Sequence, residues 1–335
     1  MNDAKFVMVA GLAGCGKSTF CKTLMKEEES FVYLSSDELR IDLFGDVDNQ
    51  DNNAVVFEEM QKRTIESLKK GENVLYDATN LSRKKRRHLL SLLPKKVEKI
   101  VIAFVANLET VKKQNSSRER VVPEKVIDRM HKNFQLPIKG EGWDKVVLIP
   151  DDKSEQAEFP KQFTDAIRAG VIINREGYDL VFELGRYFDS FADIYDMPHD
   201  SKYHCLSVSL HTYYVYRHVL EHYESEDMID VEAMLWAALL HDTGKHFCKS
   251  FYNRKGEHCR YANFIGHENV SAQYAVNVLT MMNFSDEFIE KVTTLVQFHM
   301  YLLNEKANEK KLIDLVGQEM FEKLKFLREA DFAAH

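Results

Sequence analysis

A chain of 335 residues, 44% hydrophobic and 29% charged, is long enough for two globular domains and is neither a disordered nor a fibrous composition. The formal net charge of −8 is unevenly spread: residues 1–150 hold 26 Lys and Arg against 22 Asp and Glu, whereas residues 151–335 hold 19 against 31. Bulk charge lets the first half meet a polyanion and argues against it for the second. No apolar stretch is long enough to span a bilayer, and Met1–Lys5 has no signal-peptide character. The five cysteines (Cys15, Cys21, Cys205, Cys248, Cys259) form no CxxC pair, so the expectation is a cytoplasmic protein with free thiols and no membrane partner.

Along the first half, strand and helix signals alternate. KFVMVA (5–10), FVYLS (31–35), NVLYDA (73–78), KIVIAFVA (99–106) and KVVLIP (145–150) are short β-branched or aromatic runs. Helical patterns at about 19–29, 53–70, 82–93 and 123–134 lie between them. This rhythm predicts βαβ units and an α/β domain over residues 1–150, built on a parallel sheet. Residues 151–170 turn polar and read as a linker. From 171 to 335 the patterns are long and helical with no convincing strand, which predicts an all-α domain.

GLAGCGKST, Gly11 to Thr19, follows the first strand and opens a helical segment, the context that a phosphate loop requires. Gly11, Gly14 and Gly16 let backbone N–H groups turn toward phosphates, and the helix N-terminus adds its positive end. Lys17 is placed to reach the β- and γ-phosphates of ATP or another NTP, and Ser18 to ligate Mg²⁺. Cys15 and Thr19 complete the nucleotide-binding run; at Cys15 only the backbone is required. The competing reading, a Gly-rich turn that matches by chance, is weakened by the flanking strand and helix.

Two carboxylates fall at strand ends: Asp37 in SSDELR, with Arg40 three residues on, and Asp77 in YDATN. In an open parallel sheet the ligand crevice lies outside the C-terminal strand ends, so these residues converge on the phosphate loop. A carboxylate there can take the proton of an acceptor hydroxyl, and the forked donors of Arg40 can hold an anion. Asp37 could instead cap the helix that follows. The run Arg83-Lys84-Lys85-Arg86-Arg87 reads by default as a solvated helical face rather than a nucleic-acid track.

Together, GLAGCGKST, SSDELR, VLYDATNLSRKKRR and NSSRERVVPEKVIDRM resemble the phage-type polynucleotide kinase branch of the P-loop kinases, over about residues 5–150. The resemblance implies that Asp37 activates a 5′-hydroxyl, that Arg40 contacts the substrate's 3′ phosphate, and that Arg118 and Arg120 form a lid over the donor phosphates. The chain departs from the family at Gln114, where a lid arginine is expected.

In the second half, AALLHDTGK (237–245) closes an apolar run that begins near Val231, and its His241 and Asp242 are costly to bury unpaired. Neighbours on a helix point about 100° apart, so partners must come from elsewhere. His211, His267, His299 and Asp331 supply them at gaps of 30, 25, 32 and 32 residues, each about one helix plus a connection. Such a set suits one or two divalent ions, Mn, Fe, Zn or Mg, able to activate water and clamp a phosphate ester. Any one of these histidines alone would more often be a satisfied core residue, the reading given to His204, His218 and His222.

YHCLSVSLHT, LLHDTGK, GHENVS, LVQFH and LREADFAAH resemble the HD phosphohydrolase superfamily, most closely the HD domains of bacterial tRNA nucleotidyltransferases. The resemblance implies one metal on His211, His241, Asp242 and Asp331, a second served by His267 and His299, and Lys245 near the phosphate. The two halves together predict a 5′-hydroxyl kinase joined to a 3′-end phosphatase or 2′,3′-cyclic phosphodiesterase, healing RNA or DNA ends for an RNA ligase. Two alternatives stay open: a nucleoside or metabolite kinase with a nucleotidase, and a kinase regulated by a nucleotide-sensing HD module.

Overall fold

The computed structural model describes residues 4–27, 30–49, 51–150, 179–202, 205–304 and 306–334. These form two compact units, one on each side of residues 151–178. The polar stretch read as a linker lies outside the described residues.

In the first unit five strands, β1 (Ala4–Gly11), β2 (Phe31–Ser35), β3 (Asn73–Asp77), β4 (Val97–Val105) and β5 (Lys145–Pro150), form one parallel sheet in the order β2-β3-β1-β4-β5. Strand β1 is central and nearly continuous in apolar residues because helices cover both faces of such a sheet. Phe6 stacks on Trp143 and meets Tyr76 edge-on, which fixes the middle of the core. The connecting helices are α1 (Lys17–Glu27), α2 (Ser36–Phe44), α3 (Asn53–Lys69), α4 (Arg83–Leu92), α5 (Leu108–Ser116) and α6 (Glu124–Asn133). Four of them follow the periodicity of the sequence. Helix α5, with only Leu108, Val111 and Asn115 buried, carries too short an apolar stripe to announce itself.

The basic run on α4 is a solvated face only in part: Lys84, Lys85 and Arg87 are exposed, while Arg83 and Arg86 turn inward. Arg86 is 1% exposed and grips Glu141 with two donors, Nε to Oε2 at 2.8 Å and Nη2 to Oε1 at 2.6 Å, while its Nη1 donates to the Asn80 carbonyl. Arg83 approaches the same carboxylate at 3.4 Å, and burial lowers its pKa to about 10. A carboxylate 55 residues away holds these charges, a pairing that local patterning cannot reveal.

The second unit comprises α7 (Asp179–Gly185), α8 (Asp189–Ala192), α9 (Val208–His222), α10 (Met228–Leu240), α11 (Lys245–Cys248), α12 (His267–Met281), α13 (Asp286–Phe298), α14 (Glu309–Val316) and α15 (Gln318–Ala333). Helix α10 is its axis: every residue from Ala233 to Leu240 is buried, against α9, α12, α13 and α15. Asp230, Lys291 and Lys323 form an ion network tying α10 to α13 and α15, with Lys323 Nζ 2.8 Å from Asp230. The unit is not wholly helical. Strands β6 (Ser250–Tyr252) and β7 (His258–Asn263) pair antiparallel around a turn containing Gly256 at φ 80°. Three- and six-residue strands interrupted by Asn253, Arg254 and Lys255 are too short to show alternation in the sequence. His222 is exposed and His218 half-buried against it, 4.6 Å between ring centroids, rather than core; His204 lies outside the described residues.

Candidate active centres

In the first unit the phosphate loop leaves β1 at its C-terminal end. Gly11 sits at φ 143°, and a Cβ there would lie 2.8 Å from both Cys15 Sγ and the Phe104 carbonyl, so only glycine fits. Gly14 and Gly16 turn the loop at φ 90° and 89°. Lys17 opens α1, buried, with Nζ 2.6 Å from the Leu12 carbonyl and 3.5 Å from Cys15 Sγ. Thr19 follows on the same first turn.

Ser18 donates to Asp77 Oδ2 at 2.9 Å, and the Tyr33 hydroxyl donates to the same oxygen at 2.7 Å. Burial, reinforced by Asp77, raises the Tyr33 pKa, which keeps that hydroxyl a donor. A serine hydroxyl and a carboxylate oxygen beside a phosphate loop are the hard oxygen ligands that suit Mg²⁺. Tyr33, in the middle of β2, carries no motif and was not expected here.

Asp37 does not cap α2. That role falls to Ser35, whose Oγ accepts from the Asp37 and Glu38 amides at 3.3 and 3.5 Å. The Asp37 side chain, 49% exposed, is left free to project: Arg40 Nη1 bonds its Oδ1 at 2.6 Å, and Arg120 Nη1 lies 3.6 Å from the same oxygen. Arg40 is buried, donating also to Asn53 Oδ1 at 2.7 Å, so it holds Asp37 in place in this arrangement. Of the two expected lid arginines, Arg120 reaches the carboxylate, with its Nε also 2.5 Å from Asp48; Arg118 is exposed.

In the second unit the five helical stations converge. His211, His241 and Asp331 form one triad and Asp242, His267 and His299 another, with donor atoms within 4.8 Å of one another in each. His211 Nε2 lies 2.9 Å from Asp331 Oδ1, and His241 Nε2 lies 3.2 Å from Asp242 Oδ2. His267 Nε2 is 3.2 Å from both Asp242 Oδ1 and His299 Nε2. Asp242 faces both sets: its Oδ1 lies 3.2 Å from His267 and 3.9 Å from His299, and its Oδ2 3.2 Å from His241 and 3.5 Å from His211, so the carboxylate sits between the triads.

Every one of the four imidazoles has Nδ1 on a backbone carbonyl, those of Ala334, Ala238, Phe264 and Val296, at 2.7 to 2.9 Å. Only an N–H satisfies a carbonyl, so Nδ1 carries the proton and the Nε2 lone pair faces the cluster. Two such lone pairs 3.2 Å apart, beside two carboxylates, repel unless a cation or a proton lies among them. The donor set thus fits divalent metal, with the backbone acting as the outer shell that fixes each ring. The His211–Ala334 bond also ties down the end of α15, where Asp331 resides.

Charges around the cluster reinforce one another. Burial alone would raise the Asp242 carboxyl, but His241 and Lys245 outweigh it and hold it well below the usual range. Asp331 is lowered likewise: burial opposes, and the neighbouring His211 and His241 prevail. Burial, with His267 and His241 alongside, pushes His299 down to about 3, which keeps it neutral. Lys245 Nζ bonds Asp242 Oδ2 at 2.6 Å and lies 3.0 Å from His199 Nε2. His199, its Nδ1 on the Leu206 carbonyl, is a further buried member that sequence spacing missed, because it lies in an irregular segment off the helical rhythm.

Residues 6–137 match the AAA domain family and residues 203–331 match the HD domain family, so the chain carries a P-loop domain followed by an HD domain. It is 35% identical over 101 residues to the CC-adding tRNA nucleotidyltransferase of Thermus thermophilus, covering 30% of this chain and 22% of that protein. It is 25% identical over 167 residues to the L-seryl-tRNA(Sec) kinase of Methanococcus maripaludis, covering 46% of this chain and 61% of that one. The chain thus spans less than two thirds of either relative. A chain of the Pnkp1/Rnl/Hen1 RNA repair complex aligns over 40% of this chain and 45% of its own length, at 21% identity and a TM-score of 0.37. No helix among the described residues is long and apolar enough to cross a membrane.

Proposed function

We propose that the protein heals nucleic-acid ends, RNA in particular, phosphorylating a 5′-hydroxyl in its first unit and hydrolysing a phosphoester at the 3′ end in its second. The observation that carries this reading is the coexistence on one chain of a phosphate loop with carboxylates at the neighbouring strand ends and a separate cluster of two His and Asp triads suited to divalent metal.

In the first unit the loop and Lys17 would hold the NTP, and Ser18 and Asp77 would hold the Mg²⁺ that neutralises its phosphates. Asp37 accepts the proton of the acceptor hydroxyl as its oxygen attacks the γ-phosphorus, and the bond to the β–γ bridging oxygen breaks to release the nucleoside diphosphate. Arg40 orients Asp37, and Arg120 neutralises charge on the transferring group. In the second unit divalent metal supplies water activation and charge neutralisation at the phosphate. The histidines present Nε2 toward it, Asp242 and Asp331 balance its charge, and Lys245 offers N–H donors to a phosphate oxygen. His199 holds Lys245 in that position.

The two relatives described above are by name enzymes of tRNA, which supports RNA as the substrate class. The acidic balance of residues 151–335 favours a second reading, small-molecule kinase and nucleotidase. One experiment separates them: ATP, Mg²⁺ or Mn²⁺ and an RNA bearing 5′-OH and 2′,3′-cyclic phosphate ends, with both ends read out and compared with mononucleotides over a salt series. Turnover of RNA that falls steeply with salt supports end healing, since phosphate contacts release counterions. Turnover confined to mononucleotides, or insensitive to salt, refutes it.

A further inference from the structure

The acidic second unit has one basic arm. Between Lys245 and His267 the chain leaves the helical body as the β6–β7 hairpin, and residues 249–264 contain Lys249, Arg254, Lys255 and Arg260 against a single carboxylate, Glu257. Lys249 is spent on Asp200 Oδ2 at 2.7 Å; Arg254, Lys255 and Arg260 are exposed. So is Tyr252, at 58%. Tyr252 pairs directly with His258 across the hairpin, and residues opposite one another share a face. The register shifts between this pair and the Ser250–Asn263 pair, and in that irregular part of β7 the Arg260 guanidinium packs over the ring of exposed Tyr261, 5.2 Å from its centroid. The arm therefore presents exposed aromatic rings and a guanidinium along its length, with two further cations at the turn.

Hydrogen bonds pin the arm at its turn and at its base, and that base is the rim of the proposed metal centre. At the turn, Asn253 Oδ1 accepts from the Lys255 and Glu257 amides at 2.9 and 3.0 Å. At the base, the Ala262 amide donates to the Asp200 carbonyl at 2.9 Å, next to His199. Phe264 then packs edge-on to His199, ring centroids 6.0 Å apart, and lies 5.4 Å below Lys245 Nζ. Three residues later the chain delivers His267 to the second triad. From base to turn, six residues of β7 extend about 17–20 Å, the span of a few nucleotides.

We propose that the β6–β7 hairpin is a strand-binding arm that leads the single-stranded 3′ end of an RNA into the metal centre. Arg254, Lys255 and Arg260 contact backbone phosphates, and Tyr252 stacks an unpaired base. Cations interleaved with an exposed aromatic ring suit a single strand, whose bases are free to stack, better than a duplex. The arm supplies locally what the bulk charge of this half withholds. The inference deepens the reading of the second unit as an RNA 3′-end phosphohydrolase and rests on it.

The test uses the full chain and a short 5′-phosphorylated, single-stranded RNA, which offers the kinase unit no acceptor hydroxyl. Binding is followed by fluorescence anisotropy, and hydrolysis is followed on the same RNA carrying a 2′,3′-cyclic phosphate and on a nucleoside 2′,3′-cyclic monophosphate. The triple variant Arg254→Ala/Lys255→Ala/Arg260→Ala weakens RNA binding and cuts the salt slope of log affinity by about 2, the loss of three single-strand phosphate contacts. Tyr252→Ala weakens binding about tenfold, and replacing Arg254 and Arg260 by Lys restores the salt slope. Mononucleotide hydrolysis stays at the wild-type rate in all of them. RNA binding unchanged in the triple variant overturns the proposal, as does a parallel loss of mononucleotide hydrolysis, which would mark the hairpin as merely structural. Hairpin-dependent binding with no hydrolysis by the wild type would instead sink the phosphohydrolase reading and leave the arm standing.

Discussion

Asp242→Asn keeps the shape of the one side chain that lies between the two triads and removes its charge. The Asp242 side chain is 2% exposed and its partner Lys245 8%, with 2.6 Å between them. Removing one member of a buried pair costs about 3–5 kcal/mol, because the other stays charged and desolvated. His199 Nε2 still accepts from Lys245, so the lower end applies, about 3 kcal/mol. In a unit of this size each kcal/mol moves the thermal midpoint about 2–4 °C, which places the metal-free variant about 6–12 °C below the wild type. Divalent metal at about a hundred times its Kd adds about 2.7 kcal/mol to the folded wild type. The variant, with one triad broken and the other missing its neighbouring charge, gains little, so Mn²⁺ widens the gap to roughly twice its metal-free value. The assay is thermal unfolding with EDTA and then with Mn²⁺, read by fluorescence of Trp236 in a Trp143→Phe background. Trp236 is buried in α10, and the sequence holds two tryptophans, so the signal then belongs to the second unit alone. Adding Lys245→Met to Asp242→Asn removes the stranded cation and recovers metal-free stability without recovering the response to Mn²⁺. A variant that gains as much from Mn²⁺ as the wild type would refute the assignment of Asp242 to the metal centre.

Two further expectations concern charges outside that centre. Arg120→Ala lowers 5′-phosphorylation on the order of 10³-fold, and Arg118→Ala lowers it less, because Arg120 lies beside Asp37; single-turnover rates with a 5′-OH oligonucleotide check the order. Asp230→Asn destabilises the second unit by about 2–3 kcal/mol at neutral pH, less than for a fully buried pair because the Asp230 side chain keeps 12% exposure. Burial pushes the Asp230 carboxyl up, but its bonds from Lys291 and Lys323 prevail and its folded pKa lies below the ordinary 3.8. A depressed folded pKa gives stability that is present above the unfolded value and lost as pH falls through the folded one. The gap between wild type and Asp230→Asn in urea unfolding therefore closes below about pH 4.

What the sequence made legible is what repeats along the chain. The phosphate loop is one contiguous run, and the strand-helix rhythm around it forecasts a parallel sheet. The HD cluster is legible because helices impose regular intervals, so His211, His267, His299 and Asp331 could be picked as partners for His241 and Asp242 before any fold was known. What stayed hidden depends on contacts between distant segments. Tyr33 becomes part of the first centre only because β2 lies beside β3, which places its hydroxyl on Asp77. His199 joins the second through Lys245, 46 residues on. Arg86 looked like one more surface cation until Glu141 was brought to it. Asp37 had two plausible roles in the sequence; the Ser35 cap frees its carboxylate for the other.

The claim of two independent centres is tested most directly by separating them. Wild type, Lys17→Ala, Asp37→Ala and Asp242→Asn are each given ATP, divalent metal and one RNA bearing a 5′-OH and a 2′,3′-cyclic phosphate, and both ends of the product are read. Lys17→Ala and Asp37→Ala leave the 5′-OH in place while the 3′ end is still processed, and Asp242→Asn does the reverse. Loss of both activities in any one variant, or undiminished phosphorylation by Lys17→Ala, would contradict the account.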